Sequence, residues 1–279
     1  MKGGIYVKVK RSERLVDLTH YLIEHPYEII SLTYFAEKFQ SAKSSVSEDL
    51  SIIKDRFESQ GIGVLETIAG AAGGARYIPK IDIEVQESMV NELIDEINHT
   101  ERLLPGGFIY LSDILGNPSW LKTIGKVIAN QYLDKEIDTV MTVAASGIAI
   151  AQSVATYLNV PFTIVTRDPK VTEGSTVSVN YVSGPDQQRV EKMELSRRSL
   201  EPGSKVLVVD DFIRSGGTIA GMQTLLNEFD AHLVGSAIVV ENLVGKNQLN
   251  DAYQTLISVS DVDMEEKTID FTLGSFFNK

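Results

Sequence analysis

Val206-Leu207-Val208-Val209-Asp210-Asp211-Phe212-Ile213-Arg214-Ser215-Gly216-Gly217-Thr218 packs a strand, a turn and the start of a helix into one short run. Its four leading apolar residues predict a strand buried on both faces, as in the centre of a parallel sheet. Asp210 and Asp211 follow at the carboxyl end, where open α/β sheets take their ligands. Residues 214–218 then form a short loop that opens a helix. Gly216 and Gly217 let backbone N–H groups converge, and Ser215 and Thr218 add hydroxyl donors. Such a loop suits a phosphate held at a helix N-terminus. Carboxylates beside a phosphate cradle make electrostatic sense when they accept hydrogen bonds from sugar hydroxyls, or hold Mg²⁺ through the same ligand. The chemistry asks for a ribose 5-phosphate; the plain alternative is an acidic strand end and an ordinary turn.

Outward from this run, apolar strands alternate with amphipathic helices. Strands are expected over 108–114, 139–144, 161–165, 205–209 and 233–240, and helices over 119–132, 148–158 and 218–228. That alternation implies an α/β fold with a mostly parallel sheet covered on both faces. Two more segments fit an anionic ligand at its carboxyl edge. Ala144-Ala145-Ser146-Gly147-Ile148 follows a strand and opens a helix, although Ser-Gly there is often only a cap. Residues 167–189 are too long and polar for a simple connector, and they carry Arg167 and Lys170.

Upstream the pattern changes. Residues 84–103 read as an acidic helical linker closed by Pro105-Gly106-Gly107, which divides the chain into 1–80 and 81–279, with the linker over 81–105. In the first part, Leu15, Leu18 and Leu22 mark a helix that Pro26 stops. Leu32, Phe35, Ala36 and Phe39 mark a second, and Val46, Leu50, Ile53 and Phe57 a third, with Ser45 and Glu48 spaced as a capping box. Strands at 64–68 and 76–78 enclose a glycine-rich link. Two helices on a short polar turn followed by a hairpin are the plan of a winged helix-turn-helix. Lys43, Ser44, Ser45 and Ser47 lie at the open end of the third helix, where small hydroxyls and a free N-terminus suit close approach to DNA. Arg11, Arg14, Lys54, Arg76 and Lys80 add candidate phosphate contacts. A protein-interaction module of the same shape is the alternative.

Charge is distributed in keeping with that division. The 279 residues carry a net charge of −12, yet 1–80 hold 11 Lys/Arg against 10 Asp/Glu, and 1–14 alone are +4. An acidic body does not prevent a basic head from meeting DNA, because distant charge is screened within about 10 Å at 0.1 M salt. A hydrophobic content of 43% is globular, no run of 18 apolar residues predicts a membrane span, and cysteine is absent. Together with an N-terminus lacking a secretory h-region, this makes the cytoplasm the expected compartment. The four histidines show no metal-ligand spacing, and neither a P-loop nor a G-x-S-x-G motif occurs.

The acidic doublet with its small-residue loop resembles the type I phosphoribosyltransferases. The resemblance implies that Asp210, Asp211, Phe212, Arg214, Ser215, Gly216, Gly217 and Thr218 hold the ribose 5-phosphate of phosphoribosyl pyrophosphate (PRPP). It also implies that Ala145, Ser146 and Gly147 form a pyrophosphate loop, with Arg167 and Lys170 on a flexible loop nearby. Ser146 leaves the pyrophosphate loop uncharged, a departure that implies a weaker subsite. Over nearly the whole chain, RSERLVDLTHYL, SAKSSVSEDL, GIGVLETIAGAAGGARYIPK and NYVSG resemble the purine operon repressors of Gram-positive bacteria. That family implies a homodimeric, DNA-binding regulator of purine genes with PRPP as effector, no catalytic residues, no cofactor, no membrane partner, and Mg²⁺ entering only through PRPP. The competing expectation is a working purine phosphoribosyltransferase with an added head, but no base-recognition signal is found near Phe212 or at 241–246.

Overall fold

The computed structural model describes residues 9–70, 73–104, 108–167, 174–183, 189–213, 216–243, 253–263 and 268–278. They fall into two compact units, 1–85 and 86–279.

In the first unit the apolar stripes become helices α1 (Arg11–Glu24), α2 (Leu32–Phe39) and α3 (Lys43–Ser59). Strands β1 (Ile30–Ser31), β2 (Val64–Ile68) and β3 (Gly74–Ile78) form an antiparallel sheet in the order β1-β3-β2. Leu18 and Leu22 of α1, Phe35 and Phe39 of α2, and Val46, Ile53 and Phe57 of α3 meet in one core. Ser31 caps α2 by accepting a hydrogen bond from the Tyr34 N–H. The capping box expected at Ser45 and Glu48 does not form. Helix α3 already begins at Lys43 on Ala42, which puts Ser45 inside the first turn.

The second unit is built on a six-stranded sheet. Helix α4 (Ile83–Ile97) leads into it and is followed by a single 3-10 turn (Thr100–Arg102). The helix stops well short of residue 103 because its buried spacing, Val90, Leu93, Ile94 and Ile97, ends there. Next come β4 (Leu103–Leu104), β5 (Phe108–Ile109), α5 (Ser112–Gly116) and α6 (Pro118–Gln131). The strand expected over 108–114 is therefore corrected. Only Phe108 and Ile109 pair, in a hairpin with β4, and Leu111, Ile114 and Leu115 then bury with helical spacing.

The remaining elements are β6 (Thr139–Val143), α7 (Gly147–Leu158), β7 (Phe162–Val165), β8 (Thr176–Ser183), β9 (Arg189–Ser196), β10 (Lys205–Ile213), α8 (Gly217–Asn227), β11 (His232–Asn242), β12 (Gln254–Asp263) and β13 (Thr268–Leu273). Sheet order is β13-β12-β11-β10-β6-β7, parallel throughout except at the β12–β13 edge. Central β10 serves two cores at once. Leu207 and Val209 join α6 and α7 on one face, while Val206 and Val208 join α8 and β9 on the other. This period-two division is why the run is apolar at every position. Strands β8 and β9 form a separate antiparallel ribbon, so residues 176–183 of the long polar stretch after Arg167 are ordered strand.

Candidate functional site

Asp210 and Asp211 sit on the last turns of pleat before β10 ends at Ile213, a strand longer than the apolar run alone predicts. Neighbouring strand positions point to opposite faces, and the two carboxylates have different surroundings. The Asp211 N–H donates to Asp210 Oδ1 at 3.1 Å. Asp210 lies against the start of α7, where a Cβ placed on Gly147 would sit 3.1 Å from its Oδ1 and would also collide with the Thr142 side chain. Glycine at 147 is therefore what lets the 145–147 turn approach the doublet. Burial, and then the adjacent charge of Asp211, push the Asp210 carboxyl well above the usual carboxylate range, with the Arg167 guanidinium pulling the other way.

Asp211 and Phe212 line a cavity of about 490 Å³ together with Ala145 and Ser146. Its other wall is the β4–β5 hairpin and α5, with Phe108, Tyr110, Leu111 and Leu115 among its residues. The Phe108 and Phe212 rings stand 5.7 Å apart at a tilt of 43°. Arg102 fixes this wall, donating to both carboxylate oxygens of Asp113, at 2.6 and 2.8 Å, and to the Tyr110 carbonyl at 3.1 Å. The volume is within the range of small-molecule sites. Sequence reading missed this wall; the aromatic residues Phe108 and Tyr110 just after Pro105-Gly106-Gly107 were the signal that could have pointed to it.

Gly216 adopts φ 74°, a left-handed conformation that glycine takes without strain, and α8 begins at the next residue. The first N–H groups of α8, from Gly217 and Thr218 onward, lack intrahelical acceptors and carry the positive end of the helix dipole. Arg214, Ser215 and Lys170 lie outside the described residues. Arg167, just past β7, pairs with Glu191 on β9, Nε to Oε2 at 3.3 Å, and the hydroxyl of Tyr181 on β8 donates to the same Oε2 at 2.6 Å. The structure thus brings Asp210, Asp211, residues 145–147, Arg167 and the start of α8 to one edge of the sheet.

On the first unit, Lys43, Ser44 and Ser47 are exposed at the start of α3 and Ser45 is half-buried, whereas Val46, Asp49, Leu50, Ile53 and Phe57 face inward. Lys54 is exposed and 3.9 Å from Glu58, and Lys80 is exposed. Arg76 on β3 donates to Glu66 of β2 at 2.6 and 3.1 Å, which ties down part of its charge. Arg14 requires correction as a phosphate contact. It falls on the inner stripe with Leu18 and Leu22, is buried, and donates from Nε to fully buried Asp49 at 2.5 Å. Arg11, half-exposed, donates to the other oxygen of Asp49 at 2.9 Å and approaches Glu48 at 3.8 Å. Asp49 thereby clamps α1 to α3, a role no local pattern announced.

A winged-helix head in one unit and a doubly covered parallel sheet with an acidic doublet at its carboxyl edge in the other define a two-domain protein that joins a DNA-binding module to a phosphoribosyltransferase-type body. Comparison with known families agrees: residues 10–79 match the N-terminal domain of the bacterial purine repressor, and residues 111–275 match the phosphoribosyl transferase domain. Among individual proteins, the purine biosynthesis transcriptional repressor PurR of Bacillus subtilis is 52% identical over 270 residues, covering 97% of this chain and 94% of its own. The purine biosynthesis transcriptional activator PurR of Lactococcus lactis subsp. lactis is 50% identical, with 97% and 99% covered. The chain belongs to the PurR family of purine biosynthesis transcriptional regulators. In fold, the body resembles an adenine phosphoribosyltransferase of Rhodothermus marinus, with a TM-score of 0.51 and 23% identity over 60% of this chain and 96% of that one. No helix among the described residues is long and apolar enough to cross a membrane.

Proposed function

We propose that this chain represses or otherwise regulates purine biosynthesis genes as a homodimer, and that PRPP bound to the body sets its affinity for DNA. The observation that carries the effector reading is the doublet and α8 on one sheet edge: two carboxylates for a sugar's hydroxyls beside first-turn helix N–H groups without intrahelical acceptors for its phosphate. In that reading Asp210 and Asp211 receive the ribose hydroxyls and the first turn of α8 holds the 5-phosphate. Residues 145–147 and Arg167 stand where pyrophosphate oxygens arrive. Mg²⁺ would enter with the pyrophosphate, and Asp210 and Asp211 would be the side chains to hold it, where it would offset the phosphate charge. Among the described residues no cluster of three or more His, Cys, Asp or Glu side chains builds a cage of its own.

PRPP can shift DNA binding only by favouring one of two states of the protein. A coupling of about 1–3 kcal/mol would change DNA affinity roughly 5–150-fold. Fluorescence anisotropy on a labelled purine-gene promoter, with and without PRPP and Mg²⁺, tests this directly. The expected result is a shift in affinity of that size; an identical titration curve overturns the effector role. One observation favours a second reading, phosphoribosyl transfer to a purine: the cavity that Phe108 and Phe212 help to line has, at about 490 Å³, room for a small planar ring. Steady pyrophosphate release from PRPP with a purine base would establish it.

A further inference from the structure

Glu191 on β9 belongs to none of the groups assigned above to sugar, phosphate or DNA, yet it holds the charge of one of them. Its Oε2 faces Arg167 Nε at 3.3 Å and accepts the Tyr181 hydroxyl at 2.6 Å. Arg167 also lies close enough to Tyr181 and to Asp210 to interact electrostatically with both. The Tyr181 ring is buried against α8: a Cβ on Gly221 would lie 2.8 Å from its Cγ, one turn beyond Gly217. Contacts therefore run without a break from the helix whose first turn is the phosphate cradle, through Tyr181 and Glu191, to Arg167.

We propose that Glu191 is an internal competitor for Arg167, whose carboxylate neutralises the guanidinium until an incoming pyrophosphate displaces it, so that binding is registered as release of the β8–β9 ribbon. This rests on the reading of the site as a PRPP site and deepens it. The guanidinium is half-exposed and within reach of solution anions, while its partner is an internal anion present in every empty molecule. A ligand that takes Arg167 must break that pair, and its apparent affinity is lowered by the cost. Glu191 acts through Arg167 and is a positioning residue.

Glu191→Gln isolates the effect, because glutamine keeps the size and an oxygen for the Tyr181 hydroxyl while removing the charge. Calorimetry on the full chain with PRPP and Mg²⁺ compares the unmodified protein, Glu191→Gln, Arg167→Ala and the double variant. Glu191→Gln is expected to bind PRPP about threefold to fivefold more tightly, the scale of a partly exposed ion pair. Its affinity should also fall more steeply with salt. In the Arg167→Ala background the same change should have no effect, a coupling that a merely structural role would not produce. Tightening of equal size in both backgrounds means simple charge repulsion and overturns the competition. Weaker or unchanged binding by Glu191→Gln also overturns it, while PRPP binding by the unmodified protein leaves the site's reading intact. If the unmodified protein binds no PRPP, the reading falls and the competitor with it.

Discussion

Asp210 and Asp211 are consecutive in the chain but live on opposite faces of β10, one against Gly147 and the reach of Arg167, the other in the cavity beside Phe212. The first has a cost in the empty protein. Burial and the charge of Asp211 hold its carboxyl above the ordinary range, so folding favours its protonated form. The stability this allows is complete in acid, below the unfolded carboxyl's range, and is lost as pH rises through the raised folded value. Asp210→Asn should therefore melt higher than the unmodified protein at neutral pH, by about 2–4 °C for each kcal/mol relieved. The gain should vanish near pH 3 to 4 in a thermal-melt series, and the PRPP response should be gone. A lower melting point at neutral pH would contradict the assignment of strain to this carboxylate. At this scale the doublet was legible because strand, acid pair and glycine turn are contiguous. Arg14 was misread because its partner, Asp49, is 35 residues away. Charge in a sequence does not tell which side of a helix it occupies, and only the inner stripe of α1 turned that arginine from a surface cation into a structural one.

Among elements, α3 divides its labour by face. One side is core, from Val46 to Phe57, and its first turn offers Lys43, Ser44 and Ser47 to solvent. Lys43→Ala should weaken operator and non-operator DNA to a similar degree and lower the slope of log affinity against log salt by about one unit, as loss of one phosphate contact does. Anisotropy titrations at several salt concentrations measure both. A selective loss at one base position would instead mark Lys43 as a base reader. The helices of both units were predictable because buried residues recur at three and four. The ribbon was not read as strand, although Val177, Val179 and Tyr181 alternate with polar residues, because its length and polarity suggested an open loop. Strands β12 and β13 were missed altogether, and the hairpin wall formed by β4 and β5 escaped notice because two-residue strands leave no periodicity to detect.

For the whole molecule, composition alone separated a nearly neutral head from a body of net charge −13, and the change from helices with a hairpin to alternating strands set the boundary at 80/81. The compact units divide at 85/86, inside α4, because a helix that continues across a boundary carries no composition break. What no pattern announced is how unevenly the body is held together. Strand β10 is hydrogen-bonded on both sides and buried on both faces. Among the described residues, strands β8 and β9 pair only with each other, apart from a single bridge between Thr166 and Glu194. A lone hairpin is marginal in water, and this one depends on the core that its Val177, Tyr181, Met193 and Leu195 share with α8 and β10. Deuterium should accordingly enter the backbone amides of 176–183 and 189–196 orders of magnitude sooner than those of 206–209. Mass spectrometry of the exchanging chain would show it, and equal protection in the two regions would contradict it. If the proposed competition for Arg167 holds, such a protein would report on its occupant through its less firmly anchored part, the one that can be rewritten without disturbing the scaffold.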